Sequence, residues 1–176
     1  MKHLNLILII LILSCCPLHP AYAFFDKDIR LLTMRDGLAD NTIPCIYKDE
    51  DGFMWFGTDD GLSRYDGKTI QNFKPADTYA SVAAIVRLSD DFLGIVSDGY
   101  LYYFNRKQET FLPIHTESDT AIGVFNVLPA DNSSFWGISG NRLILCQWEI
   151  RQGKEEEKTA VRVRIQKTFQ LLEEKG

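Results

Sequence analysis

Hydrophobic and polar positions alternate in short blocks along the chain, most regularly over residues 49–67. Three Asp-Gly pairs divide this stretch: Asp51-Gly52, Asp60-Gly61 and Asp66-Gly67. Asp-Gly favours tight hairpin turns, because glycine accepts positive φ and aspartate tolerates it. The apolar blocks between the pairs, 53–57 and 62–65, are too short for helices and have the length of strands. The pattern therefore predicts consecutive antiparallel strands joined by minimal turns.

This block pattern recurs with a period of about 40 residues, which is typical of propeller blades and too long for leucine-rich repeats. The first copy predicts strands at 42–48, 53–57, 62–65 and 70–73. The second predicts strands at 82–88, 92–96, 100–105 and 110–114. The third predicts strands at 123–128, 135–138, 142–150 and 161–167. Each copy thus supplies one four-stranded antiparallel sheet.

The segments outside the three copies have simpler patterns. Residues 29–33 predict a single lead-in strand, and 34–41 predict a loop, so that 24–41 form a lead-in region. The charged run 151–158 predicts a solvated hairpin tip, with its glutamates at 155–157. Residues 169–175 predict either a last strand or a short frayed helix.

The first 23 residues predict a secretory signal peptide. A basic start precedes an apolar run, and Ala21 and Ala23 provide small residues for cleavage before Phe24. A membrane anchor is the alternative, but about 20 apolar residues are needed to span a bilayer and this run is shorter. A second alternative is a lipoprotein attached at Cys15. Each of these interpretations implies export, with a periplasmic location.

Residues 37–67, GLADNTIPCIYKDEDGFMWFGTDDGLSRYDG, resemble the two-component regulator propeller repeat. The resemblance departs from the usual pattern at Ala39, where serine is usual, and at Ile43, where valine is usual. The residues that form the repeat motif are Asp51, Gly52, Trp55, Gly57, Thr58, Gly61, Leu62, Arg64, Tyr65, Asp66 and Gly67.

The resemblance implies an all-β fold, a partial β-propeller of about three four-stranded antiparallel blades over 42–75, 79–116 and 122–172. In the family a lead-in strand usually pairs with the last blade. Propellers usually need four to eight blades to close, so the ring is expected to stay open within this chain. We therefore expect the N-terminal part of a longer protein, a truncated gene product or an obligate oligomer.

The resemblance also implies a function: the periplasmic ligand-sensing portion of a hybrid two-component sensor histidine kinase. Family ligands are often oligosaccharides from glycan breakdown, and the expected partners are such a ligand and the remainder of a sensor kinase or a homodimer partner. The chain contains no phosphate-binding loop or kinase motif, so no enzyme activity is expected. The alternatives are an exported propeller glycosidase or lyase and a non-functional gene fragment.

Candidate chemical sites are weak. Trp55 and Trp136 could stack on sugars, but both are expected as core aromatics between blades. A calcium loop at 49–52 fails, because Tyr47 and Thr58 occupy the positions that an EF-hand gives to its first and twelfth ligands. Asp59, Asp60 and Asp66 could form an acid–base pair, yet they lie in turn signals.

The remaining composition adds three expectations. Cys45 and Cys146 are expected to be buried free thiols. The absence of CxxC and of a histidine-rich cluster predicts no metal and no cofactor. The net charge of −5 argues against a nucleic-acid partner, which would need a basic surface.

Overall fold

The computed structural model describes residues 29–74, 81–116, 120–151 and 160–171. Leu32–Gly176 form one compact unit, and of the other unit, Met1–Leu31, only 29–31 are described. Regular structure in the described residues is β-strand, apart from a short 3-10 helix at Met34–Asp36. None of the described residues belongs to a helix with the length and hydrophobicity needed to span a bilayer.

Three sheets follow one another along the chain, and we refer to them as blades 1, 2 and 3. Blade 1 contains β1 (Cys45–Lys48), β2 (Met54–Thr58), β3 (Gly61–Tyr65) and β4 (Ile70–Phe73). Blade 2 contains β5 (Val82–Arg87), β6 (Phe92–Ser97), β7 (Tyr100–Asn105) and β8 (Thr110–Pro113). Blade 3 contains β9 (His115–Thr116), β10 (Val127–Pro129), β11 (Ser134–Ser139), β12 (Arg142–Arg151) and β13 (Ala160–Gln170). The predicted strands of the three copies are confirmed to within a few residues at each end.

Sheet order follows chain order in blades 1 and 2, as expected for antiparallel meanders. Blade 3 has five strands in the order β10-β11-β12-β13-β9. The extra strand β9 pairs parallel to β13, with His115 opposite Arg162. A four-stranded third sheet was expected, and the parallel addition arises because the chain leaving blade 2 passes the outer edge of blade 3.

Two apolar cores lie between successive blades. Trp55 and Phe73 of blade 1 meet Phe104 of blade 2, with ring centroids 5.5 and 4.9 Å from that of Phe104. Between blades 2 and 3, Phe92 and Leu88 belong to the same cluster as Trp148. Because each sheet buries a face against its neighbour, burial of these rings supplies the main attraction between blades.

The loop after the 3-10 helix covers the face of blade 1 that points away from blade 2. The Ala39 N–H donates to Ser63 Oγ at 3.2 Å, and Asn72 Nδ2 donates to the Gly37 carbonyl at 2.8 Å. Leu38, between them, is 5% exposed. The face of blade 3 that points away from blade 2 carries exposed apolar side chains, among them Leu128 and Phe169.

Two predictions at the ends of the chain have different outcomes. The lead-in strand at 29–33 does not form: these residues have no strand pairing, and Thr33 instead caps the 3-10 helix by accepting from the Arg35 N–H. Residues 24–28 lie outside the described part.

The alternatives for 169–175 are decided in favour of strand as far as Gln170, because β13 continues to that residue. The hairpin tip at 152–159, including the glutamates at 155–157, lies outside the described residues.

Candidate functional site

The motif turn at 58–61 is closed by side-chain and backbone hydrogen bonds. Thr58 is buried, and its Oγ1 donates to the Gly61 carbonyl at 2.9 Å and accepts from the Asp60 N–H at 3.1 Å. Gly61 has a φ of +120°, and a Cβ there would lie 2.6 Å from the Phe73 carbonyl oxygen. Both the conformation and the close approach therefore require glycine. The next residue, Leu62, is fully buried in the core between blades 1 and 2.

Trp55 is fully buried, and its indole N–H has a carboxylate acceptor. Trp55 Nε1 donates to Asp49 Oδ2 at 2.7 Å, and the Phe53 N–H donates to Asp49 Oδ1 at 2.8 Å. Arg106 of blade 2 donates to the same Asp49 carboxylate at 2.9 Å and also pairs with Asp51. Asp49, which the repeat motif set above does not contain, thus joins the turn of blade 1 to its core and to blade 2.

Arg64 is a second link between blades 1 and 2. Its guanidinium lies over the Trp55 and Phe73 rings, with centroid distances of 5.5 and 5.3 Å. It also donates to Gln71 at 2.6 Å and to Glu109 of blade 2 at 3.0 Å. Arginine suits this position because a planar guanidinium stacks on rings and still presents N–H donors at its edge.

Asp66 closes the third motif turn. Its carboxylate accepts from the N–H groups of Lys68 and Thr69 at 2.7 and 2.6 Å, and from the Thr69 hydroxyl at 2.8 Å. These donors, led by the Thr69 and Lys68 N–H groups, lower the pKa of Asp66 from 3.8 to about 2. Beside it, the Tyr65 hydroxyl donates to the Gly67 carbonyl at 2.6 Å.

We expect Asp66→Asn to flatten the acid limb of the stability profile. A carboxyl whose folded pKa is below its unfolded value stabilises the fold above pH 3.8, and this contribution is lost as the pH falls towards about 2. Urea-unfolding midpoints recorded between these pH values should fall less steeply for the variant than for the unaltered chain. Thr69→Val, which keeps the Thr69 N–H bond, serves as the milder control. Equal slopes for Asp66→Asn and the unaltered chain would contradict the turn's role.

The three aspartates considered for acid–base catalysis have separate partners. Asp60 pairs with Lys74 at 2.5 Å, Asp59 accepts from the Ser81 hydroxyl at 3.1 Å, and Asp66 is held by its own turn. The geometry therefore gives each of them a local role in a turn or ion pair. The motif residues as a group build blade 1 and attach it to blade 2.

The expectation that Trp136 is buried between blades is not met within the described residues. Trp136 is partly exposed, although the strand register gives it the position of Trp55. Leu128 and Leu145 pair with Trp136 as Tyr47 and Arg64 pair with Trp55. Successive strand residues face opposite sides, so Phe135 packs in the core with blade 2 and Trp136 lies on the other face of blade 3, against Phe169. In the part of the chain that the structure describes, no further blade covers that face.

Cys45 and Cys146 are both free thiols. Cys146 is buried and Cys45 partly buried, and desolvation raises their pKa to about 12 and about 11 respectively. Thiols with such pKa values are poor nucleophiles and poor metal ligands at neutral pH. In the part of the chain that the structure describes, no group of three or more potential ligands is arranged to hold a metal ion.

A groove runs across the ends of the three blades where the first hairpin of each blade turns. Its first concavity has a volume of about 330 Å³ and lies between the turn at 49–51 and the turn at 89–91. Its second has a volume of about 200 Å³ and lies between residues 85–88 of blade 2 and 129–132 of blade 3. Tyr47 and Arg87 line both concavities, so the two adjoin. We call the combined feature the hairpin groove.

Charge in the hairpin groove is predominantly negative. Six carboxylates line it, against two guanidiniums. Arg87 pairs with Asp90 at 2.5 Å and with Glu50 at 3.6 Å, and the hydrogen bond that Arg87 donates to Asp90 is the main cause that raises the pKa of Arg87. Arg106 is engaged by Asp49, as described above, and donates to the Asp90 carbonyl at 2.6 Å. The six acidic residues are Asp49, Glu50, Asp51, Asp90, Asp91 and Asp131.

Comparison with known proteins agrees with this geometry. Residues 37–60 match the family model described as two component regulator propeller. No curated protein matches the chain. The fold is similar to the extracellular domain of a protein classed as a hybrid two-component system of B. thetaiotaomicron, at 17% identity and a TM-score of 0.55 over 67% of this chain. It is also similar to the extracellular domain of a protein classed as a one-component system of the same organism, at 21% identity and a TM-score of 0.50 over 60% of this chain.

The matched part spans 18% and 14% of the lengths of those two chains. The all-β partial propeller expected from the sequence is confirmed, with three sheets that do not close into a ring within the described residues. The recognition of a two-component regulator propeller repeat is confirmed as well.

Proposed function

We propose that this chain forms part of the exported ligand-sensing propeller region of a two-component sensor. The observation that carries the proposal is the regulator propeller repeat at residues 37–60, built into a blade that packs against a second blade, which packs in turn against a third. In this function residues 1–23 direct export, and the blades bind an oligosaccharide from glycan breakdown. Signalling to a histidine kinase then requires either the remainder of a larger sensor or a partner subunit.

The physical role of the blades is to hold loops rigidly around a ligand. Ligand binding changes the balance between two arrangements of packed sheets only if the ligand contacts them differently. The aromatic cores and the bonds from Arg106 and Arg64 hold blades 1 and 2 together, so a ligand at their turns would meet a preformed surface. Catalysis is not part of this role, since the aspartates of the motif are engaged in turns and ion pairs.

Export and ligand binding can be tested separately. The full chain fused to alkaline phosphatase, which is active only outside the cytoplasm, should give active phosphatase in a bacterial host, and the same fusion without residues 1–23 should not. Purified protein should show a higher midpoint of thermal unfolding with at least one pool of plant or microbial hexasaccharides, because a ligand that binds only the folded state stabilises it. Inactive fusions, no shift with any pool, or incorporation of phosphate from ATP would each contradict the proposal.

A further inference from the structure

The hairpin groove is a concave feature to which all three blades contribute side chains. Tyr47 lies one residue before the end of β1 in blade 1, Arg87 ends β5 in blade 2, and Asn132 lies in the turn between β10 and β11 of blade 3. The strands that carry or precede these residues lie side by side, since β5 of blade 2 is next to β1 of blade 1 and to β10 of blade 3. A ligand in this groove would therefore contact every blade at once, which a ligand on a single turn could not do.

The second concavity combines an apolar floor with polar walls. Ile85, Val86, Leu88 and Pro129 supply apolar surface, and Asp131 and Asn132 stand at the rim. Tyr47 is partly buried against the core of blades 1 and 2, and this desolvation raises the pKa of its phenol. An aromatic ring held at the edge of a pocket, with a few polar groups opposite, is the usual arrangement for binding a ring-shaped polar molecule.

The charges of the groove decide which oligosaccharides it can accept. An acidic sugar would have to approach six carboxylates, and the two guanidiniums that could attract it already bind carboxylates of the groove. Sugar hydroxyls, in contrast, donate hydrogen bonds to carboxylates, and such charge-assisted bonds are stronger than neutral ones. An amino sugar would gain a further attraction.

We infer that the hairpin groove binds a non-acidic oligosaccharide, with one sugar ring against Tyr47 and its hydroxyls toward Asp131 and Asn132. This inference rests on the proposed function, which supplies the oligosaccharide class. It adds the location of the site and the exclusion of uronate-containing or sulfated chains. The first concavity, with its carboxylates at the 49–51 and 89–91 turns, accommodates the neighbouring sugar unit.

The test measures binding of three hexasaccharide pools to the purified full chain by calorimetry: neutral, amino-bearing and uronate-containing. We expect binding from the neutral or the amino-bearing pool and none from the uronate pool. Tyr47→Ala and Asn132→Ala should each weaken binding by about tenfold, the magnitude of one aromatic contact or one side-chain hydrogen bond. Tyr47→Phe keeps the ring and should retain affinity within about twofold.

Tyr100→Ala is the matched control, because Tyr100 is a half-exposed tyrosine of β7 that does not line the groove. It should leave binding unchanged. Asn132 is exposed, so its replacement tests the site even if Tyr47→Ala lowers the stability of the fold. Preferential binding of the uronate pool, or full affinity of both Tyr47→Ala and Asn132→Ala, would overturn the inference and leave the proposed function standing. Absence of binding from all three pools would overturn both.

Discussion

Replacing Asp49 with alanine should destabilise the folded chain by about 3 kcal/mol. The Asp49 side chain is 3% exposed and accepts from Trp55 Nε1, from the Phe53 N–H and from Arg106. Alanine would leave the buried indole N–H without its acceptor, and an unsatisfied buried donor costs about 1–3 kcal/mol. Loss of the ion pair adds to this. In the variant Arg106 still pairs with Asp51 and donates to the Asp90 carbonyl. The expected loss of stability is therefore at the lower end of the range for broken buried ion pairs.

Urea unfolding followed by tryptophan fluorescence measures this loss. Asp51→Ala is the matched control, because Asp51 also pairs with Arg106 but its side chain is 62% exposed, and exposed pairs contribute about 1 kcal/mol or less. A double-mutant cycle with Arg106→Ala should show coupling with Asp49 larger than with Asp51. Similar losses for Asp49→Ala and Asp51→Ala would show that the buried carboxylate does not hold the two blades together.

The strands of blades 1 and 2 could be predicted because their signals are local. Asp-Gly turns determine where hairpins end, and short apolar blocks determine strand length. The burial of Trp55 could be predicted as well, since it lies in the buried-strand pattern and precedes a glycine that receives the neighbouring blade. These signals depend on residues close together in the chain, so the sequence alone carries them.

The features that could not be predicted depend on contacts between distant segments. Strand β9 is two residues long and has no apolar pattern of its own; it exists because it reaches β13, about 45 residues later in the chain. The role of Asp49 in joining blades 1 and 2 depends on Arg106, which is 57 residues away. A nearer signal did exist, because an acidic residue six positions before a buried tryptophan, across a tight turn, can accept from its indole.

Blade 3 shows how a repeat can keep its tryptophan and move its glycine. Trp136 has the register of Trp55, because Leu128 and Leu145 pair with it as Tyr47 and Arg64 pair with Trp55. The buried ring of blade 3 is instead Phe135, on the face toward blade 2, where Trp148 of β12 stacks on it with ring centroids 5.9 Å apart. Trp148 Nε1 donates to the Leu88 carbonyl of blade 2 at 3.1 Å, whereas Trp55 donates to a carboxylate of its own turn. Counting from the hairpin turns is therefore the reliable way to establish register in this chain.

Gly57→Ala should be at least as damaging as the loss of Asp49, at about 3 kcal/mol or more, with overpacking as the mechanism. A Cβ at Gly57 would lie 2.4 Å from Cys45 Sγ, 2.6 Å from the Val82 carbonyl oxygen and 2.8 Å from a Val82 methyl group. Cys45 belongs to the paired strand and Val82 to blade 2, so one added methyl group would press against both. A backbone carbonyl cannot rotate away as a side chain can, and the blades would have to separate.

The matched control for this prediction is Gly123→Ala, the same change at a glycine with space and with negative φ. A Cβ at Gly123 would have the Gly99 carbonyl oxygen as its nearest neighbour, at 3.8 Å, an ordinary contact. Its effect on the free energy of unfolding should stay within about 0.5 kcal/mol, as for a substitution that meets no special constraint. Unfolding midpoints for the two variants should therefore differ widely, and the inter-blade rings near Trp55 should lose near-UV circular dichroism only in Gly57→Ala. If both variants unfold at the same urea concentration, the close approach of blade 2 to Gly57 does not determine how the blades pack.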